Sequence, residues 1–230
     1  MWHLSPAESG AFALSLRVAA ESVVLCLPVA LAVSLLLARP RWRGRVALDT
    51  LVHLPLVLPP VLVGYLLLMV FGARAPLGHW LAAQWGVHLP FTTHGAAFAT
   101  AVMTFPILVR AMRLSREQLD PGLEEAARLL GAGPWDRFTT VTLPLMLPGI
   151  LAGAVTAFAA SLGEFGAVIT FAGSVPGETQ TLPLALYAAL DSADGEDAAW
   201  RLAGLSLTLG VGGIVIAEVL ARPMHRWLGR

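Results

Sequence analysis

Five apolar blocks, each about as long as a bilayer is thick, constrain this chain more than any other feature. They run Val18–Ala38, Leu51–Phe71, Gly95–Leu114, Pro148–Ala172 and Leu202–Ala221. A helix that crosses the hydrocarbon core needs about 20 mostly apolar residues. In lipid the backbone must satisfy its own hydrogen bonds, which leaves a helical bundle as the fold for blocks of this length. The fold class expected is therefore an all-α membrane protein, a polytopic helical bundle. Ala11–Leu16 either adds to the first helix or lies at the interface. Composition points the same way: 57% hydrophobic and 13% charged residues in a chain of 230 leave too little polar surface for a soluble domain. A formal net charge of zero gives no reason to expect nucleic-acid binding.

Arginine sets the orientation. All 15 basic side chains are Arg, and the chain has no Lys. Arg39, Arg41, Arg43 and Arg45 crowd the first connection. Arg110, Arg113, Arg116, Arg128 and Arg137 mark the third, and Arg222, Arg226 and Arg230 the tail. The second connection has Arg74 alone, and the fourth carries Asp191, Asp194, Glu196 and Asp197 before Arg201. Cytoplasmic loops collect Arg and Lys, so five spans with the N-terminus outside account for every loop. The opening "MWHLSPAESG" lacks the basic start and cleavage site of a signal peptide, and the first block is expected to stay as a span. Cys26, alone, reads as a small apolar side chain.

Proline and glycine interrupt the blocks, as in "HLPLVLPPVLVG" and at Pro28 and Pro106. Such breaks survive in a membrane where neighbouring helices or a water-lined cavity take up the freed backbone groups. Gly149, Gly153, Ala157 and Ala160 form a stripe suited to close helix packing. With no internal repeat, the expectation is a single transmembrane domain over 1–230, with a charged loop at 115–147.

That loop has its own structure. In "DPGLEEAARLLG", Asp120 is placed to cap a helix, Pro121 suits the first turn, and Glu124 and Glu125 favour the positive helix end. Leu123, Ala126, Ala127 and Leu130 make an apolar stripe, with Glu124 and Arg128 spaced to pair beside it. Gly131 supplies a stop. "GPWDRFTTVTLP" then restarts a helix at Pro134, with Trp135, Phe138 and Val141 or Thr142 on a second apolar face. Two readings stay open: the stripe packs on the inner ends of its own spans, or it docks a partner.

The order Glu125-Ala126-Ala127, three residues, Gly131, nine residues, Val141, one residue, Leu143-Pro144 resembles the EAA motif of ABC-importer membrane subunits, with Val in place of Ile. The resemblance extends over nearly the whole chain in length, span number and orientation. It implies a type I ABC importer permease fold of about five core spans, or six. It implies a cytoplasmic coupling helix, in which Glu125 makes polar contacts with an ATPase subunit, Ala126 and Ala127 allow close approach, and Gly131 sets the turn. The partners implied are two copies of an ABC ATPase carrying ATP and Mg, a second copy of this chain, membrane lipid and an external oxyanion-binding protein. No cofactor is expected on the chain itself. Without Lys it cannot build a conventional P-loop.

"HLPLVLPPVLVGYLLL", Ser161-Leu162-Gly163-Glu164-Phe165-Gly166 and "PGETQTLPLALY" look closest to the molybdate/tungstate permeases within the molybdate–sulfate branch. The resemblance thus implies molybdate import across a prokaryotic inner membrane, with a sulfate or thiosulfate permease as the alternative. Glu164 is costly inside a membrane, and its charge would repel a dianion. It hydrogen-bonds at a helix break, pairs with Arg17 or Arg110, or acts in gating. Thr104, Ser161 and Thr170, with Glu164, are the candidates for the translocation path or gate. Arg17, Glu21 and Glu218 read as interfacial charges. His53, His79, His88, His94 and His225 lack metal-ligand spacing, and no nucleophile–base pair stands out, so no catalysis is expected. A secondary transporter coupled through Glu164 or Glu218 is the rival from another class.

Overall fold

A computed structural model of the chain describes residues 4–39 and 42–228. Arg41 and Arg230 lie outside them, as do the side chains of Glu218, Arg222, His225 and Arg226. Among the described residues every regular element is a helix. Four stretches are long and apolar enough to cross a membrane: Pro6–Ala38, Thr93–Glu117, Pro134–Leu162 and Glu196–Ile216. A fifth exists if the bent pair Arg45–Val57 and Pro60–Phe71 counts as one span.

The first helix, α1 (Pro6–Ala38), begins twelve residues before the apolar block that announced it. Ser5 starts it with a capping box. The Ser5 Oγ accepts from the Glu8 amide at 3.2 Å, and Glu8 Oε2 accepts from the Ser5 amide at 2.7 Å. Ala11–Leu16 therefore belongs to the helix. Glu8 is almost wholly buried and also accepts from Arg201 Nε at 3.0 Å, which ties the start of α1 to the last helix.

The second apolar block is not one helix. It divides into α2 (Arg45–Val57) and α3 (Pro60–Phe71), bent by 118°. Leu58 and Pro59 each precede a proline, and a residue in that position is pushed out of the helical region. Both are extended, with ψ 145° and 132°. Two consecutive extended residues turn the chain, and Pro60 opens the next helix at a position that needs no amide.

After α4 (Pro76–Trp85), α5 (Thr93–Glu117) forms the centre of the bundle. Thr92 Oγ1 caps it by accepting from the Gly95 amide at 3.0 Å. The loop helices α6 (Pro121–Leu129) and α7 (Pro134–Arg137) follow. The second of these is not a separate helix, because it runs through a π-helical segment (Phe138–Thr142) into α8 (Leu143–Leu162). The Leu143 amide donates to Phe138 O, five residues back. Pro144 has no amide and its ring crowds the carbonyl four residues earlier, so a widened turn ahead of it is the expected relief.

The fourth apolar block also breaks. Its apolar run spans Pro148–Ala172, but α8 stops at Leu162 and a short α9 (Gly166–Phe171) starts after Phe165. The helix α10 (Leu182–Leu190) and the long α11 (Glu196–Leu228) complete the chain. Small residues bring α5 and α8 together: a Cβ on Gly153 would lie 2.8 Å from Ala111 Cβ, and one on Gly149 would collide with Ser115. Ala157 is buried in the same core, whereas Ala160 faces outward. Leu37, Leu108, Met112 and Met146 fill the core. Val24, Val57, Met69, Leu207 and Ile214 are exposed, as befits a surface whose solvent is hydrocarbon.

Candidate functional site

The arginine-rich connections converge on one end of the bundle. Arg113, near the end of α5, donates to Asp49 of α2 at 3.1 Å and to Glu117 at 2.9 Å. Arg45 reaches Glu117 at 3.6 Å. The motif loop is mounted on this end.

Its first helix is fully specified by local chemistry. Asp120 Oδ1 accepts from the Gly122 amide at 2.8 Å, and Pro121 takes the first position. At the other end the Ala132 amide donates to Ala127 O and the Gly131 amide to Arg128 O, at 3.0 and 3.1 Å. These are the two bonds of a Schellman ending, which needs a left-handed residue between them. Gly131 has φ +90° and is that residue.

No residue of α6 or α7 is buried. Leu129, Leu130 and Trp135 leave three-quarters or more of their surface open, and Trp135 stacks obliquely on Phe138 at 5.6 Å. The apolar stripe therefore does not close on the inner ends of the chain's own helices. Of the motif residues, Glu125 and Ala126 are exposed and Ala127 half-buried. Among the described residues the one ion-pair partner of Glu125 is Arg128, at 3.3 Å, and both are about two-thirds open to solvent. Val141 and Leu143 are half-buried, Leu143 against the bundle core, and Pro144 is exposed.

Glu124 is what fastens the loop to the bundle. The pairing with Arg128 expected from spacing is not made. Glu124 instead takes Arg116, from the last turn of α5, at 2.8 Å and accepts from Thr142 Oγ1 at 2.6 Å. One carboxylate thus joins α5, α6 and the π-helical segment. Neither partner was legible in the sequence, since they lie 8 and 18 residues away in the chain.

A second constellation forms where the two broken blocks meet. A Cβ on Gly64 of α3 would lie 2.6 Å from Ala167 O and 2.9 Å from Thr170 Cβ. One on Gly166 would lie 2.7 Å from Pro60 Cβ. The Pro-Pro break and the Ser-Leu-Gly-Glu-Phe-Gly break, a hundred residues apart in sequence, are thus packed glycine to backbone. Glu164 sits at this junction, half-buried, and accepts from the Ala167 amide at 3.0 Å to cap α9. Among the described residues it has no cationic partner, so the pairing with Arg17 or Arg110 is not made; Arg17 pairs with Glu21 at 2.7 Å. Thr170 Oγ1 donates to Gly166 O at 2.9 Å.

The other two path candidates are placed elsewhere. Ser161 is buried, donates to Ala157 O and shares a 3.0 Å bond with Ser22 of α1. Thr104 is buried and donates to Thr100 O at 3.0 Å, within its own helix. In this conformation neither faces an open passage.

Residues 30–226 match the family model described as the inner membrane component of binding-protein-dependent transport systems. The chain is 48% identical over 227 residues to the molybdenum transport system permease protein ModB of Escherichia coli K12, covering 99% of each. It is 35% identical over 210 residues to the sulfate transport system permease protein CysW of a Synechocystis strain, covering 91% of this chain and 75% of that one. Among solved structures, a bacterial alginate ABC transporter in complex with a periplasmic protein carrying an alginate pentasaccharide shares the fold. Its TM-score is 0.67 at 18% identity, over 96% of this chain and 78% of that one.

Proposed function

The chain belongs to the family of binding-protein-dependent transport system inner membrane components, and from that premise we propose that it is the permease subunit of an ABC importer for molybdate. The observation that carries the mechanism is the motif loop. Its apolar side chains project outward from a base that Glu124 braces against α5. A helix held rigidly at one side and left apolar at the other transmits force from whatever seats on it. The partner proposed is an ATPase subunit, in two copies, with ATP and Mg on that subunit and a second copy of this chain completing the pore.

Orientation follows from the same end of the molecule. Arg39, Arg43, Arg45, Arg113, Arg116, Arg128 and Arg137 belong to the loops and helix ends gathered there, which supports a cytoplasmic face at that end and an N-terminus outside. Closure of the ATPase pair then moves α6, and Glu124 passes that motion to α5 and α8. The junction of the two broken blocks is the proposed gate. Two helix breaks packed through glycines can hinge against each other without separating a side-chain interface. Glu164 serves there as a cap on α9, not as a ligand, since a carboxylate would repel the dianion. Substrate choice belongs chiefly to the external binding protein.

Molybdate is preferred to sulfate because the likeness to the molybdenum permease is higher and covers both chains almost entirely. The test is ATP hydrolysis by the assembled transporter in proteoliposomes, driven by the cognate binding protein loaded with each oxyanion. Molybdate-loaded protein should stimulate hydrolysis. Stimulation by sulfate alone would overturn the substrate, and uptake without any ATPase would overturn the mechanism.

A further inference from the structure

Between the motif loop and the bundle lies a polar pocket of about 290 Å³. It is separate from the outward apolar face, because its walls include the end of α1 and the last turn of α5. Arg39, Arg116 and Arg137 line it, with Glu124, Thr142 and Phe138. Three guanidinium groups against one carboxylate leave a formal charge of +2. Glu124 has no charge to spare, since it is already shared by Arg116 and Thr142.

Arg137 makes the imbalance specific. Its Nε is shielded from solvent and has no hydrogen-bond acceptor among the described residues. Neither Arg137 nor Arg39 has an ion-pair partner among them. A buried N–H without an acceptor is costly, more so when charged, and folded proteins keep few such groups. The guanidinium fork matches tetrahedral oxyanions two oxygens at a time. A charge of +2, two forks with no ion-pair partner among the described residues (Arg39 and Arg137) and an unused shielded donor describe a site short of an oxyanion.

We propose that this pocket binds a tetrahedral oxyanion of phosphate-like size and charge. The anion bridges α1 (Arg39), α5 (Arg116) and the start of the α7–α8 helix (Arg137), the three elements that support the loop. The loop's attachment then depends on ligand as well as on Glu124. The same chemistry is offered by a free inorganic oxyanion and by the phosphate of an anionic lipid headgroup in the adjacent leaflet.

The full chain in phosphatidylcholine nanodiscs, titrated calorimetrically with sodium phosphate and separately with sodium molybdate, tests the first source. Amide exchange of residues 134–142 in discs with and without phosphatidylglycerol tests the second. Saturable heat, weakened about tenfold or more in Arg137→Ala and also in Arg39→Ala, supports a free-anion site. Protection conferred by phosphatidylglycerol and lost in both variants, without anion heat, supports a headgroup site. Arg39 is exposed at the end of α1, so its replacement removes charge without disturbing the core. Absence of both signals in the unaltered chain overturns the proposal, as does binding that survives both substitutions unchanged.

Discussion

Replacing Glu124 by Ala tests whether the loop is held by the contacts described, and the size of the effect can be worked out in advance. The carboxylate makes a 2.8 Å ion pair with Arg116 and a 2.6 Å bond from Thr142. Hydrogen bonds to charged groups contribute about 1.5–3 kcal/mol when shielded, and exposed ion pairs about 0–1 kcal/mol. Glu124 and Arg116 are 31% and 25% open, between these limits. We therefore expect a loss of about 2–3 kcal/mol in the attachment of the loop. This is local stability, so it belongs in amide exchange and not in the global melting temperature. At about 1.4 kcal/mol per tenfold change, protection of residues 121–133 should fall roughly 30- to 140-fold. Glu125→Ala is the matched control. Its one ion pair among the described residues is with Arg128 at 3.3 Å, and both side chains are about two-thirds exposed. Exchange should change by less than about threefold, whereas reversal of the charge in Glu125→Lys should abolish substrate-stimulated hydrolysis if this carboxylate meets the ATPase. The reasoning fails if the two variants loosen the loop equally, or if Glu124→Ala leaves its exchange unaltered.

Three further outcomes follow from the geometry. Gly131→Val forces a β-branched residue to φ +90°, at a cost of about 1–3 kcal/mol; co-purification of the ATPase should be lost while membrane insertion is retained. Gly153→Leu drives a side chain into Ala111, where a Cβ alone would stand 2.8 Å away, and should lower thermal stability in detergent by about 1–3 kcal/mol. Arg201→Met leaves the buried Glu8 without its cation. Because Arg201 is itself one-third exposed, the cost should lie at or below the lower end of the 3–5 kcal/mol typical of a broken buried pair, about 2–3 kcal/mol. Restored stability in the double variant Glu8→Gln/Arg201→Met would identify the stranded charge as the cause.

Local chemistry accounts for what could be read in advance. The helical membrane fold follows from apolar length, because lipid offers the backbone no partner but itself. The ends of α6 were equally legible: Asp120, Pro121 and Gly131 act on residues within a few positions, and each does in the structure what its type allows. The pairs of consecutive and near-consecutive prolines in the second block marked a break, though its 118° bend required both Leu58 and Pro59 to be extended at once.

Where local rules left equal choices, the tertiary structure decided. Spacing allowed Glu124 to reach Arg128 as readily as any neighbour. It turned to Arg116 and Thr142 because α5 and the π-helical segment present stronger, better-shielded partners. Hydropathy ran the fourth block on to Ala172, since Gly163–Phe165 is short enough to be averaged away; the helix ends at Leu162 and the junction with the Pro-Pro break forms around Glu164. Ser161 reads in the sequence as a polar residue in a span, and its bond to Ser22, 139 residues distant, appears only in the fold. Sequence alone determined that this chain crosses a membrane as helices and carries a charged motif loop on its arginine-rich side. Only the folded bundle decided which charge fastens that motif and which helix breaks face one another, because those pairings join residues that the chain keeps far apart.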